Sequence, residues 1–200
     1  MKMPEQQPTL ETERLRLRPL IITDAPYVQE YAGDAKVALM TSQIPHPYPA
    51  RAAEQWIEGK HEGDGLPFAI ALRESDKMIG AIGVHPESNG LIAEIGFWIG
   101  KPFWGQGYCT EAAWEILRYC FEDLELPRVF AGHFVGNDAS GRVQEKIGMR
   151  KEGLQRWGRS RFGELKDCVL YGIIRPDWEE QRVIRASLSQ QRSVPKSAAS

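Results

Sequence analysis

The run from Ile99 to Ala113 constrains the fold most, because it joins a strand to a long helix through a turn that contains two glycines. Apolar residues alternate over 91–99, which is typical of a strand with one buried face. An apolar stripe at helical spacing follows the turn and consists of Ala112, Ala113, Ile116, Leu117, Cys120 and Leu124. A helix N-terminus offers unpaired N–H groups and the positive end of the helix dipole, and glycine lets a ligand approach the backbone closely. The sequence therefore predicts an anion-binding site at Gly105 and Gly107.

Three phosphate-binding patterns can be compared with this turn. The dinucleotide-binding turn requires Gly-x-Gly-x-x-Gly, and Thr110 stands where its third glycine belongs. The triphosphatase loop requires Gly-Lys-Ser/Thr, which the run lacks. The third pattern is Gln/Arg-x-x-Gly-x-Gly/Ala, and here Trp104 and Cys109 occupy its first and last positions. Cysteine is small enough to leave the backbone open to an anion, so Cys109 is interpreted as a packed residue, with a catalytic thiol as the alternative.

Periodicity elsewhere predicts a meander of strands followed by a strand–helix–strand unit. Strands are predicted near 14–18, 68–72, 78–85, 91–99, 128–134, 150–157 and 165–174, and helices near 24–32, after Asp34, and over 52–60, 108–126, 137–146 and 177–185. This order indicates the α+β (mixed α/β) class, with one central sheet of about seven strands and helices on both faces. We expect a flexible N-terminus over 1–9, a single domain over 10–185 and a disordered tail over 186–200.

Composition excludes several classes of protein. The formal charge is −2, and no strongly basic stripe suggests a nucleic-acid binder. A locally basic stretch over 150–166 is interpreted as a solvated hairpin, or else as a contact for phosphates or an acidic substrate. Three scattered cysteines and four unpaired histidines predict neither a disulfide framework nor a metal site. Without a signal peptide or a long apolar run, the sequence predicts a cytoplasmic protein with no membrane partner.

Several motifs together resemble the GNAT acetyltransferase superfamily, most closely the branch that includes ribosomal-protein N-terminal acetyltransferases of the Rim type. The matching segments are 11–18, 94–99, 103–112, 137–142 and 145–149, with Asp167 and Tyr171 in the final strand. The resemblance covers residues 10 to 180 approximately. It implies a V-shaped split in a mostly antiparallel sheet, and acetyl-CoA as the acyl donor, with no metal.

The resemblance also implies where acetyl-CoA lies. The pantetheine arm would enter the split and form backbone hydrogen bonds, as an added strand would. The pyrophosphate would bind at the glycine turn, and the second binding helix would contribute further contacts. The residues implied in cofactor binding are Phe97, Trp98, Ile99, Trp104, Gly105, Gln106, Gly107, Tyr108, Cys109, Thr110, Asn137, Ser140 and Arg142.

Catalytic roles follow from what acetyl transfer to an amine requires. Glu94 is the predicted base, because it is a lone carboxylate on the strand beside the split; a structural acceptor is the alternative. Ser140 is predicted to assist the departing thiolate, or else to serve at the helix start. Many members of the superfamily use a tyrosine four residues further on, where this sequence has Gln144. Asp167 and Tyr171 are predicted to orient the amine, or to be structural.

The resemblance therefore predicts an acetyl-CoA-dependent N-acetyltransferase that acts by direct attack in a ternary complex. The acceptor would be a protein N-terminus or a small-molecule amine, and another acyl chain on CoA is a second possibility. A non-catalytic CoA-binding sensor or interaction module is the alternative in a different class. Dimers are common among proteins of this kind, so a homodimer is an expectation, although no single sequence feature requires one.

Overall fold

The computed structural model describes residue 4, residues 6–59 and residues 65–193, with side chains to residue 187. Eight strands form one sheet in the order β1-β2-β3-β4-β5-β6-β8-β7. Their bounds are β1 Leu10–Glu11, β2 Leu15–Pro19, β3 Leu66–Leu72, β4 Met78–Pro86, β5 Ile92–Ile99, β6 Arg128–Phe134, β7 Arg150–Arg161 and β8 Glu164–Ile174. The seven predicted strands are all present. The additional strand, β1, is a two-residue edge in which Leu10 pairs with Leu17.

Six α-helices accompany the sheet in the described part of the chain. They are α1 Ala25–Ala32, α2 Ala35–Ala38, α3 Ala52–Ile57, α4 Tyr108–Arg118, α5 Asp138–Lys146 and α6 Arg175–Ser193. Short 3-10 turns cover Ile22–Asp24 and Lys101–Phe103, and a π turn continues α4 over Tyr119–Asp123. The predicted mixed α/β class is therefore confirmed.

Local signals at the helix ends explain why several predicted boundaries hold. Pro26 lies in the first turn of α1, where its missing N–H costs no hydrogen bond. The Asp34 side chain accepts the Lys36 N–H at 2.7 Å and starts α2. Asn137 starts α5 in the same way, and Gly148 follows the helix with a φ of +86°.

Two elements differ in length from the prediction. β7 extends to Arg161 because its partner β8 continues the pairing up to the turn at Phe162 and Gly163. α6 continues to Ser193, into the region that the sequence predicts to be disordered. The predicted end of the helix that contains α3 involves Lys60 and Gly63, which lie outside the described residues.

Neighbouring strands run antiparallel except β5 and β6, which are parallel. Their register covers only three pairs, Ile92–Arg128 to Glu94–Phe130. Both strands continue beyond this point, β5 to Ile99 and β6 to Phe134. They therefore separate after Glu94, and the sheet contains the V-shaped split that the family resemblance implied.

Two apolar cores lie on opposite faces of the sheet. The larger contains Ala112, Ile116 and Leu117 of α4, and Trp178 of α6 packs its ring 4.6 Å from that of Trp114. The smaller core joins Val28 and Ala32 of α1 and Ala53 of α3 to Ala69, Met78 and Ala81 of the sheet. Helices thus cover both faces, as predicted. Among the described residues, no helix combines the length and the apolar character that crossing a membrane demands.

We expect Asp24→Ala to destabilise the fold by about 3 kcal/mol, because it leaves a buried guanidinium without its main partner. The Asp24 carboxylate is 2% exposed and accepts two hydrogen bonds from Arg18, at 2.8 and 2.9 Å. Chemical denaturation would measure the loss. As a control, Glu11→Ala removes an exposed partner of Arg16 and should cost less than about 1 kcal/mol. Equal losses in the two variants would contradict this account.

Candidate active site

The split exposes one edge of β5. Gly100 N–H donates to Ile79 O at 2.8 Å, and Glu87 N–H donates to Ile92 O at 2.9 Å, so even-numbered positions of the β5 segment bond to β4. Successive backbone groups alternate between the two edges of a strand. The N–H groups of Phe97 and Ile99 therefore point into the split, beyond the last pair with β6. The N–H of Trp98 points to Ala81 instead.

The glycine turn forms an open cradle at the N-terminus of α4. Gly105 and Gly107 have φ values of +76° and +83°, in the left-handed region that favours glycine. Residues 104–107 are exposed, and a side chain at Gly105 would meet no described atom within 4 Å. Trp104 Nε1 donates to Ile99 O at 2.6 Å and ties the turn to the end of β5. The turn therefore fits a pyrophosphate at the mouth of the split.

Glu111 fixes the cradle to β2 and its flanking loop. Its Oε1 accepts hydrogen bonds from Thr12 Oγ1 at 2.6 Å and from Arg14 N–H at 2.8 Å. Arg14 also binds Oε2 through Nε at 2.7 Å and donates from Nη1 to Gln106 O at 3.1 Å. Burial opposes ionisation of Glu111, but these hydrogen bonds outweigh it and hold its pKa below the ordinary value. The guanidinium stacks on Tyr108, 4.5 Å from the ring centre, and places a cation beside the anion site.

Cys109 lies in the first turn of α4 and packs against the larger core. Burial raises the pKa of its thiol to about 12. A thiol with this pKa stays protonated near neutral pH and is a poor nucleophile. The environment of Cys109 therefore favours the packed role over the catalytic one.

A cavity of about 680 Å³ lies on the opposite face of the sheet and reaches into the split. α1, α3 and the loop over 40–48 form one wall, and β4 and β5 form the floor. Phe134 of β6 and Ser140 of α5 line the end at the split. A volume of this size is typical of sites for small molecules.

Glu94 lines the cavity at the apex of the split, since it is the last β5 residue paired with β6. Its Oε1 accepts a short hydrogen bond from Nη2 of Arg159, which forms an ion pair with it. The two side chains are 21% and 28% exposed, so each is reachable from the cavity. Among the described residues that line the cavity, Glu94 is the only carboxylate and Arg159 the only lysine or arginine.

The end of the cavity at the split carries a buried polar group that involves β6 and α5. His133 Nδ1 lies 2.9 Å from Gln144 Oε1, and both side chains are buried. Asn137 Oδ1 accepts the Ser140 N–H at 3.3 Å, and its Nδ2 donates to Met40 O at 3.4 Å. Gln144 thus occupies the position of the superfamily tyrosine and holds an imidazole there.

Comparison with known proteins shows which family the chain belongs to. The family described as the acetyltransferase (GNAT) domain matches residues 14–150, which is more than half of the chain. The chain belongs to this family. It is 31% identical over 175 residues to the uncharacterized N-acetyltransferase p20 of Bacillus licheniformis, covering 85% of this chain and 98% of p20. It is therefore an N-acetyltransferase, and of the alternatives set out above the family favours the enzyme over a non-catalytic module.

Two further similarities refine this assignment. YdaF of Bacillus subtilis (strain 168), which carries the name of a ribosomal N-acetyltransferase, is 42% identical over 90 residues, or 45% of this chain and 49% of YdaF. The crystal structure of a GNAT-family acetyltransferase from Bacillus anthracis superposes with a TM-score of 0.75 at 28% identity, covering 83% of this chain and 98% of that one. The chain is a GNAT protein, and its similarity to YdaF supports the predicted resemblance to the Rim-type branch.

The acetyltransferase fold gathers many of the predicted site residues but separates others from the cavity. Glu94, Phe97, Trp98 and Ser140 line it. Arg142 is exposed on α5. Asp167 accepts the Trp157 N–H at 2.8 Å, and Tyr171 donates to Glu145 at 3.0 Å from within the larger core. Asp167 and Tyr171 are not among the lining residues, and their proposed role in orienting the amine stays a prediction.

Sequence reasoning assigned no role to His133, and it treated Arg159 only as part of a basic stretch that is either solvated or a contact for phosphates or an acidic substrate. Arg159 belongs to the basic stretch over 150–166, but it is 65 residues from Glu94, and nothing in the sequence pairs the two. It reaches β5 by passing beside Gly132 of β6, where an added Cβ would lie 3.5 Å from its Nη2. The only sequence signal for the passage of Arg159 across β6 is Gly132, since most other residues of this strand are apolar or aromatic.

We expect Glu111→Gln to lower the stability of this acetyltransferase by about 2 kcal/mol at pH 7, because it weakens hydrogen bonds to an ionised carboxylate. The folded-state pKa of Glu111 lies below the ordinary value of 4.5, so this stability is present above that value. It is lost as the pH falls through the folded-state pKa. Denaturation of both proteins between pH 7 and pH 3 should therefore show the difference shrinking. Glu13→Gln, a neighbouring exposed change, should show no such trend.

Proposed function

We propose that this acetyltransferase moves an acetyl group from acetyl-CoA to a primary amine by direct attack in a ternary complex. The observation that carries the proposal is the position of Glu94. Its carboxylate lies at the apex of the split, where the edge that would hold acetyl-CoA meets the cavity that would hold the acceptor. The membership of the chain in a family that uses acetyl-CoA supports the same conclusion.

The proposed donor site consists of the glycine turn, the free edge of β5 and the start of α5. The amides from Gln106 to Thr110 would bind the pyrophosphate, because they lie in the cradle at the N-terminus of α4. The edge groups of Phe97 and Ile99 would bond the pantetheine arm, and Asn137 and Ser140 would contact it from α5. Phe97 N–H, which points into the split, would also stabilise negative charge on the carbonyl oxygen.

The proposed chemistry needs no enzyme nucleophile, because a thioester is already activated. The acceptor nitrogen bonds to the carbonyl carbon, and the bond from that carbon to sulfur breaks. An ammonium acceptor loses two protons, one to become a neutral amine before it attacks and one as the amide forms. Glu94 would accept them in turn, directly or through water, and pass them to solvent and to the departing thiolate. The departing thiolate gains one of these protons, and Ser140, which lines the cavity, would donate a hydrogen bond to the sulfur. The raised pKa of Cys109 agrees with a mechanism that passes through no acyl-cysteine.

The cradle predicts that acetyl-CoA raises the melting temperature, whereas NAD and ATP do not. A ligand at 100 times its Kd stabilises a protein by about 2.7 kcal/mol, which a thermal-shift measurement detects readily. Gly107→Val should abolish the shift, since valine disfavours a positive φ and its side chain obstructs the turn. Gly163 has a similar φ of +79° at an open site, so Gly163→Val is the matched control and should retain the shift. A wild-type protein that acetyl-CoA does not stabilise would refute the cofactor assignment.

The position of Glu94 predicts that Glu94→Gln lowers kcat at least about 10²-fold while acetyl-CoA binding changes little. Released CoA measures turnover, and the thermal shift measures binding. Glu87→Gln changes an exposed carboxylate just beyond β4 and should leave kcat unaltered. Unchanged turnover in Glu94→Gln would mean that Glu94 is a structural hydrogen-bond acceptor and not the base.

A further inference from the structure

The cavity beside the split holds one ion pair in largely apolar surroundings. Its walls include Tyr48 and Trp56 on the helical side and Trp98 and Phe134 on the side of the sheet. Aromatic walls of this kind bury the apolar part of a small ligand. The acceptor of the proposed reaction must therefore present an apolar body as well as its amine.

The ion pair leaves hydrogen-bonding capacity on both partners. The structure gives Arg159 and Glu94 one shared hydrogen bond, between Nη2 and Oε1. Among the described residues, Glu94 Oε2 and Arg159 Nη1 and Nε have no hydrogen-bond partner. Neither side chain is fully buried, so these atoms are open to the cavity and to a ligand that enters it. A ligand with a donor for Glu94 and an acceptor for Arg159 would satisfy both.

Charge balance decides which ligand fits best. Among the described lining residues, Glu94 and Arg159 supply one carboxylate and one guanidinium, whose charges balance, and the other basic side chains are the imidazoles of His85 and His133. An acceptor with an ammonium group alone adds a positive charge and competes with Arg159 for the same carboxylate. Removing one partner of a desolvated pair leaves the other charge uncompensated, which is costly. A ligand that carries its own carboxylate keeps the cavity neutral, because each of its charges meets an opposite one.

The placement of Arg159 suits a carboxylate. A guanidinium binds carboxylates through parallel N–H donors, and Nη1 and Nε remain for that purpose. The hairpin of β7 and β8 is anchored independently of Glu94, since the buried Arg161 Nη2 donates to Ala38 O of α2. Arg159 therefore stays over the cavity when its hydrogen bond to Glu94 is exchanged for one to a ligand. In an α-amino acid the amine and the carboxylate share one carbon, so they can reach two adjacent side chains at once.

We propose that the acceptor is a free amino acid with a bulky apolar or aromatic side chain, whose amine binds Glu94 and whose carboxylate binds Arg159. The inference rests on the proposed function and names its substrate class. The carboxylate of the substrate draws Arg159 away from Glu94 Oε1, which leaves the Glu94 carboxylate available to the amine. A peptide N-terminus lacks this carboxylate and would face Arg159 with a neutral amide.

The test compares acceptors that differ in the carboxylate only. Released CoA is measured for L-phenylalanine, phenethylamine, L-phenylalaninamide and a phenylalanyl-glycine peptide amide, and for the corresponding compounds of leucine, methionine and tryptophan. For the preferred side chain, we expect kcat/KM to be at least about 10-fold higher for the free amino acid than for the other three forms, as one lost charge-assisted contact implies. An equal or better rate with the amine, the amide or the peptide overturns the inference.

A variant of Arg159 separates recognition of the carboxylate from a general loss of activity. Arg159→Met should lower kcat/KM for the free amino acid at least about 10-fold more than it lowers kcat/KM for the matching amine, so that the preference for the carboxylate is lost. Arg156→Met, an exposed change on the same strand, should preserve the wild-type preference. A retained thermal shift with acetyl-CoA shows that each variant is folded. An Arg159→Met enzyme that keeps the full preference for the carboxylate overturns the inference.

Failure of this inference can be told apart from failure of the proposed function. Acetylation of amines without a preference for carboxylates, in a protein that acetyl-CoA stabilises, refutes only the substrate class. Absence of both the acetyl-CoA shift and any turnover refutes the proposed function. Calorimetric titration of L-phenylalanine, L-leucine, L-methionine and L-tryptophan and their amines in the presence of CoA decides the substrate class without turnover. If none of the amino acids binds more tightly than its amine, the inference is wrong.

Discussion

The separation of β5 and β6 after Glu94 is the constraint on which the site depends. A strand in the middle of a sheet normally satisfies its backbone groups on both edges, and a central strand with one open edge is costly unless something occupies that edge. Here the parallel register ends after three pairs, while both strands continue. The N–H groups of Phe97 and Ile99 therefore face a space that an extended ligand can fill.

The elements around the split place the N-terminus of α4 at its mouth and the Glu94 carboxylate at its apex. α4 begins where β5 ends and directs its N-terminus and two left-handed glycines at the mouth. Glu111 fixes the start of α4 to the segment that leads into β2, because its carboxylate accepts hydrogen bonds from Thr12 and Arg14. On the other face, Glu94 lines the cavity at the apex of the split. Acetyl-CoA and the acceptor amine would thus meet at the split in the sheet.

The β7–β8 hairpin contributes the charge that distinguishes this cavity. Arg159 crosses β6 beside Gly132 and meets Glu94, so the site holds a paired acid and base. Since the surrounding walls are largely apolar, this pair governs which charges can enter. The same hairpin is fixed to α2 through Arg161, so α2, the loop that follows it and the hairpin act as one wall.

Local chemistry allowed much of the fold to be predicted from the sequence. Alternation, helix caps at Asp34 and Asn137, and the turn at Phe162 and Gly163 each depend on neighbouring residues, so the order of elements and most boundaries followed directly. The glycine turn likewise predicted an anion site, because a helix N-terminus needs no distant partner. The family resemblance, rather than periodicity, implied the split. The pairing of Glu94 with Arg159 and of His133 with Gln144 could only be decided by the tertiary structure, because each depends on which strands become neighbours and where their register ends.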